Sequence, residues 1–176
     1  EKSRRHPGST LHEALIDDAI HVIDLARWIG GEVAEVLALA AGKAGSSTGA
    51  DGAMLPGVSA LLRFASGAVG QMTLSHAAGG WLERLQVHGS GRTVLVEGME
   101  ILRRSEGGRE TTETFNSWTP VLERRGFHGA ARHFAECVRR RQIPIASGEE
   151  ALESQRLAQR IYEACLAHQK PGQAMF

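Results

Sequence analysis

The chain has 176 residues, and its 20 Lys plus Arg balance 20 Asp plus Glu, so its formal net charge is zero. That length suits one compact α+β domain over residues 1–176, and the even charge, with no basic run interleaved with aromatics, argues against a nucleic-acid partner. No apolar run is long enough to span a membrane and no signal peptide opens the chain, so a cytoplasmic protein without a membrane partner is expected. The chain opens on Glu1 instead of Met, which suggests a fragment or a processed product, so that an enzyme's other half could lie upstream.

Residues 1–10 are charged and contain Pro and Gly, and they read as a lead-in loop. Leu11 to Ile29 reads as one amphipathic helix, stopped by Gly30-Gly31. At about 100° per residue its polar face carries Asp17, His21 and Asp24 within roughly 60° of one another. Leu11, Leu15, Val22, Leu25, Ala26 and Ile29 lie on the other side. A carboxylate four residues before a histidine can orient the ring and hold its charge, as a proton-transfer pair requires. The same spacing is common on solvated helix faces, so the helix alone leaves both readings open.

Val33 to Ala41 reads as a strand, and the Gly/Ser/Ala-rich stretch 44–56 as a loop. From Val58 apolar residues alternate, with a hairpin turn at Ser66-Gly67 and a returning strand from Ala68 to His76. Leu82–His88, Thr93–Glu97, Glu100–Ser105 and Glu110–Phe115 supply further strands. The expected sheet is mixed, mostly antiparallel and open on one face, with helices packed on the other. Phe127, Ala130, Ala131, Phe134 and Val138 form an apolar stripe at helical spacing. Ser147 and Glu150 read as a capping box before a helix from Ala151 to Leu166. Cys137 and Cys165 fall in these helices and read as small core residues. Arg139-Arg140-Arg141 closes the first of them, where cations suit the carbonyl end of the dipole.

Several chemistries lack their motifs. Gly89-Ser90-Gly91 precedes a strand instead of a helix, so it reads as a turn and not a dinucleotide loop. No His-Glu-x-x-His, Cys-x-x-Cys or Gly-x-Ser-x-Gly occurs, so neither a zinc site nor a nucleophile elbow is expected. His128 and His133, five apart, share a helix face poorly and read as structural or surface residues.

The run Asp17-Asp18-Ala19-Ile20-His21-Val22-Ile23-Asp24, followed by Arg27-Trp28, resembles the start of the C-terminal domain of the glucose–fructose oxidoreductase / inositol dehydrogenase / MocA (Gfo/Idh/MocA) family. Leu61-Leu62-Arg63-Phe64-Ala65-Ser66-Gly67-Ala68-Val69-Gly70 is similar to that family's central hairpin. Glu83-Arg84-Leu85-Gln86-Val87-His88-Gly89 resembles the strand and turn that follow. His133-Phe134, Pro144, Ser147-Gly148-Glu149 and Ala151 resemble its C-terminal helical signature. Together these segments cover about residues 11–168, in the family's order.

The resemblance implies half of an oxidoreductase. Such proteins join an N-terminal Rossmann domain to this α+β domain and move a hydride between NAD or NADP and a carbinol of a sugar, polyol or related small molecule. Their catalytic set is a lysine from the Rossmann side and an Asp-x-x-x-His pair, matched here by Asp17 and His21. The Rossmann half and its lysine have no match in these residues, so the chain is not expected to be active alone. Asp18 leaves open which carboxylate faces the cleft. Asp24, His76 and Trp81 are candidate substrate contacts, although Asp24 can also serve the domain junction and Trp81 a sheet edge or dimer contact. Trp118 and Arg125 are further cleft candidates. The open sheet face suggests a homo-oligomer. The alternative is a module of the same fold that only dimerises, scaffolds or binds a small ligand.

Overall fold

The computed structural model describes residues 10–41, 57–76 and 78–168. The expected loops before Thr10 and over 44–56 lie outside the described residues. Two compact units emerge: one joins the described residues up to Ala78 to those from Ala146 onward, and the other is Gly79–Ile145.

The first unit opens with a capped helical start. Thr10 Oγ1 accepts from the Glu13 N–H at 3.2 Å, and the Thr10 N–H donates to the Glu13 carboxylate at 2.7 Å. This reciprocal cap starts α1 (Leu11–Glu13). The segment does not continue as the single α-helix expected. Ala14–Asp18 forms a π-turn, in which the Ala19 N–H reaches back five residues to the Ala14 carbonyl at 3.0 Å. Helix α2 (Ile20–Gly30) follows.

The reason lies in the apolar spacing. Leu11, Leu15, Ala19 and Ile23 are all buried, at intervals of four. On a regular helix each interval drifts about 40°, so Ile23 would stand about 120° from Leu11. One π-turn acts as a one-residue insertion and removes about 100° of that drift. The buried stripe therefore differs from the expected one: Ile29 is 40% exposed, while Ala19 and Ile23 are in the core. Gly31, at φ 85°, ends the helix as expected.

Strands β1 (Val33–Ala41), β2 (Gly57–Phe64) and β3 (Val69–Ser75) pair antiparallel in that order. Val58, Ala60, Leu62 and Phe64 alternate inward on β2, with Met72 facing the same core from β3. Helix α5 (Gly148–Ala167) packs on β1 and against α2. Its Leu157, Ala158, Ile161 and Cys165 complete that core. Arg160 donates to the carbonyls of Val33 at 2.6 Å and Ala34 at 2.9 Å, where β1 carries a bulge. On the outer face Leu37, Leu39 and Leu61 are 49–61% exposed.

The second unit is an antiparallel meander of β4 (Arg84–Gly89), β5 (Arg92–Glu97), β6 (Ile101–Glu106) and β7 (Arg109–Thr114). Helices α3 (Val121–Arg124) and α4 (Phe127–Arg140) follow. Among its described residues Cys137 alone is a buried hydrophobic. The class is α+β with open sheets. Every strand pairing among the described residues is antiparallel, and the strands divide into two ladders instead of one mixed sheet.

Candidate active site

Asp17 and His21 flank the end of the π-turn, and both are exposed. They stand opposite a fixed wall, because Leu15, Ala19 and Ile23 are at most 1% exposed. Their spacing is not the plain helical one expected, since the π-turn closes between them. Asp18, the neighbouring carboxylate, turns to His76 just past β3. Its Oδ2 stands 3.6 Å from the His76 Nε2, an ion pair when the ring is protonated. Both side chains are largely buried, at 15% and 11% exposure. The structure therefore brings His76 to Asp18, a pairing the sequence did not signal.

Asp24 meets α5. The Ser154 hydroxyl donates to Asp24 Oδ1 at 2.6 Å. Arg27 Nη1 donates to Ser154 Oγ at 2.9 Å and to the Glu150 carbonyl at 3.0 Å, while its Nη2 pairs with the Glu150 carboxylate at 3.2 Å. Glu150 is thus drawn away from the capping box expected of it. Ser147 still accepts from the Glu150 N–H at 3.2 Å, which leaves half of that box. Ser154 sits within the apolar stripe of α5, and no local pattern marks it as a partner of a residue 130 positions earlier.

At the other end of the segment His12 shares a 2.9 Å hydrogen bond with Gln159 and meets the Tyr162 ring edge-on at 5.0 Å. Trp81 belongs to the second unit. Arg125 stands over its ring, 5.3 Å from the centroid, a cation–π contact on a side chain that is 54% exposed. Trp118 is 89% exposed. In α4, His133 Nε2 accepts from the Ile145 N–H at 3.1 Å and lies 3.6 Å from the Cys137 sulfur, so this histidine is structural, as read.

Gly89-Ser90-Gly91 turns β4 into β5, with Ser90 at φ 50° and Gly91 at φ 74°. It forms no phosphate cradle at a helix start, so these residues do not fit a dinucleotide site. Among the described residues no helix is long and apolar enough to cross a membrane, and no cluster of three or more His, Cys, Asp or Glu can hold a metal.

Comparison with known proteins places the fold. A family model described as "Oxidoreductase family, C-terminal alpha/beta domain" matches residues 4–171. The chain is 33% identical over 160 residues to the Salmonella typhimurium protein named "Putative oxidoreductase YceM", covering 88% of this chain and 47% of that one. A crystal structure of the dehydrogenase MviM from Clostridium difficile superposes with a TM-score of 0.71 at 28% identity, over 89% of this chain and 49% of that one. A dehydrogenase from Chromobacterium violaceum shares the fold at a TM-score of 0.78 and 21% identity, over 92% of this chain and 48% of that one. The chain spans about half the length of these relatives. It belongs to the Gfo/Idh/MocA oxidoreductase family, of which it carries the C-terminal α/β domain.

Proposed function

We propose that this chain is the substrate-side domain of an NAD(P)-dependent oxidoreductase acting on a carbinol of a sugar, polyol or related small molecule. A second, Rossmann-type domain upstream would hold the dinucleotide, since the Gly89-Ser90-Gly91 turn does not fit one. The observation that carries the reading is the exposed Asp17 and His21 on a segment whose opposite side is locked into the core. The π-turn supports it, because such turns recur at functional sites. A levoglucosan dehydrogenase solved in complex with NADH has this fold at a TM-score of 0.69 and 20% identity, which supports the architecture.

The chemistry asked of this chain is proton transfer. A nicotinamide held by that upstream domain would supply the acceptor for the hydride of the carbinol carbon. His21, as a neutral imidazole, takes the hydroxyl proton, and Asp17 steadies the resulting charge. Those groups need reach and orientation more than burial, and the π-turn under Asp17 and α2 under His21, both anchored through Leu15, Ala19 and Ile23, supply a rigid base. His76 and Trp81 are candidate substrate contacts, the first already engaged by Asp18 and the second backed by Arg125.

Self-association through the outer face of β1–β3 belongs to the same proposal. Leu37 and Leu61 are directly paired across the two strands, with Leu39 beside them, so the exposed residues form a patch and are not scattered.

The test is a screen of the complete protein with sugars and polyols in the presence of NAD or NADP, following nicotinamide absorbance. Substrate-dependent reduction that falls in His21→Ala supports the reading. A binding-only or scaffold role predicts no turnover with any carbinol, together with unchanged ligand affinity in His21→Ala.

A further inference from the structure

We propose that Ser154 is a positioning residue that sets the rotation of α2, and with it the direction of His21, by holding Asp24. The inference rests on the reading of His21 as the acid–base group. It starts from a buried polar atom: Ser154 is 1% exposed and lies in the stripe of α5 that otherwise carries Leu157, Ala158, Ile161 and Cys165. Alanine would fill that position equally well, so the hydroxyl is there for its bonds.

A serine hydroxyl has one proton to give. Two acceptors stand near it: the Asp24 carboxylate at 2.6 Å and the Glu150 carbonyl at 3.3 Å. The short, charge-assisted bond takes the proton, and the lone pairs accept from Arg27 at 2.9 Å. Arg27 is fixed in turn by the Glu150 carbonyl and carboxylate. Two residues of α2, one turn apart, are therefore bolted to two residues of α5, one turn apart.

The bolt sits where a helix needs one. α2 begins immediately after a π-turn, a place at which a segment can slip by one residue. Such a slip would turn His21 by about 100°. The core stripe of Leu15, Ala19 and Ile23 resists it from one side, and the Ser154–Asp24 bond resists it from the polar side, three residues beyond His21. Asp24 thereby acts through α5 and not as a ligand of substrate.

The test reads the His21 ring by ¹⁵N-edited NMR and the α2 amides by hydrogen exchange, in this chain. Ser154→Ala and Asp24→Asn remove the bond from either end. Each is expected to shift the His21 ring signals and to speed exchange at Ile23 through Arg27 by about tenfold, and the double variant is expected to add little. Gln159→Ala is the control: it breaks the His12 contact on the same pair of segments and is expected to lower the melting temperature without moving His21. Unchanged His21 signals in both Ser154→Ala and Asp24→Asn overturn the proposal, as does an equal shift in Gln159→Ala. No turnover is read, so failure here is distinct from failure of the oxidoreductase reading, which the substrate screen decides.

Discussion

The two units hold themselves together by different means. In the first, residues remote in sequence meet in one core: Leu15 and Ile23 from the N-terminal segment, Leu62 and Phe64 from β2, and Ile161 and Cys165 from α5. In the second, Cys137 is the only buried hydrophobic among the described residues. Its sheet relies on short hairpin ladders and on cross-strand charges. Glu97 pairs with both Arg84 and Arg103 at 3.2 Å, Arg92 pairs with Glu106, and Arg104 with Glu113. Such exposed pairs contribute about 0–1 kcal/mol each. Core burial fixes a side chain's direction far more firmly, which is why the candidate catalytic residues belong with the first unit.

The contrast is broken most sharply by truncation. Leu15→Ala removes a side chain with 0% exposure and is expected to cost about 3–5 kcal/mol in urea unfolding. Val94→Ala, at a half-exposed position of β5, is expected to cost under about 1 kcal/mol. Equal losses would refute the contrast. A smaller effect tests the close approach of α2 to the sheet. A Cβ on Gly30 would lie 2.3 Å from the Phe64 ring, so Gly30→Ala is expected to destabilise by about 1–3 kcal/mol through overpacking, despite the better helix propensity of alanine.

Electrostatic changes come next. Glu97→Gln is expected to cost no more than about 1 kcal/mol at low salt, with the difference vanishing by about 1 M salt. Last is an alkaline effect in the first core. Burial pushes the Cys165 thiol above its ordinary 9.0. The unfolded chain therefore ionises first. The neutral thiol's contribution is complete below pH 9.0 and is lost as the pH climbs towards the raised folded value. Cys165→Ala should flatten the fall in stability above that pH, even though it lowers stability at neutral pH.

Much of the fold is legible in local pattern. The alternation from Val58 to Phe64, the Ser66-Gly67 turn and the Gly30-Gly31 stop each act within a few residues, and the structure has them in place. The cap at Thr10 and Glu13 is equally local, but Thr10 falls in the expected lead-in loop, so the reading of the sequence misses it. The π-turn is harder, because an assumed 100° per residue hides it; the four-residue spacing of Leu11, Leu15, Ala19 and Ile23 is its only sequence sign. The site is less legible still. Asp24 meets Ser154, and Asp18 meets His76, through packing between segments that no short pattern connects. Glu150 shows the same physics in reverse, since a distant arginine outcompetes the local cap.

The most direct test of the central claim is turnover of the complete protein with His21 replaced by alanine, set beside its unfolding free energy. His21 is exposed and stands opposite the buried stripe, so its removal leaves no cavity. The account expects turnover to fall by about 10²–10⁴-fold, with stability changed by no more than about 1.5 kcal/mol, the scale of one lost polar contact. Wild-type turnover in His21→Ala on a substrate that the protein demonstrably oxidises would contradict it.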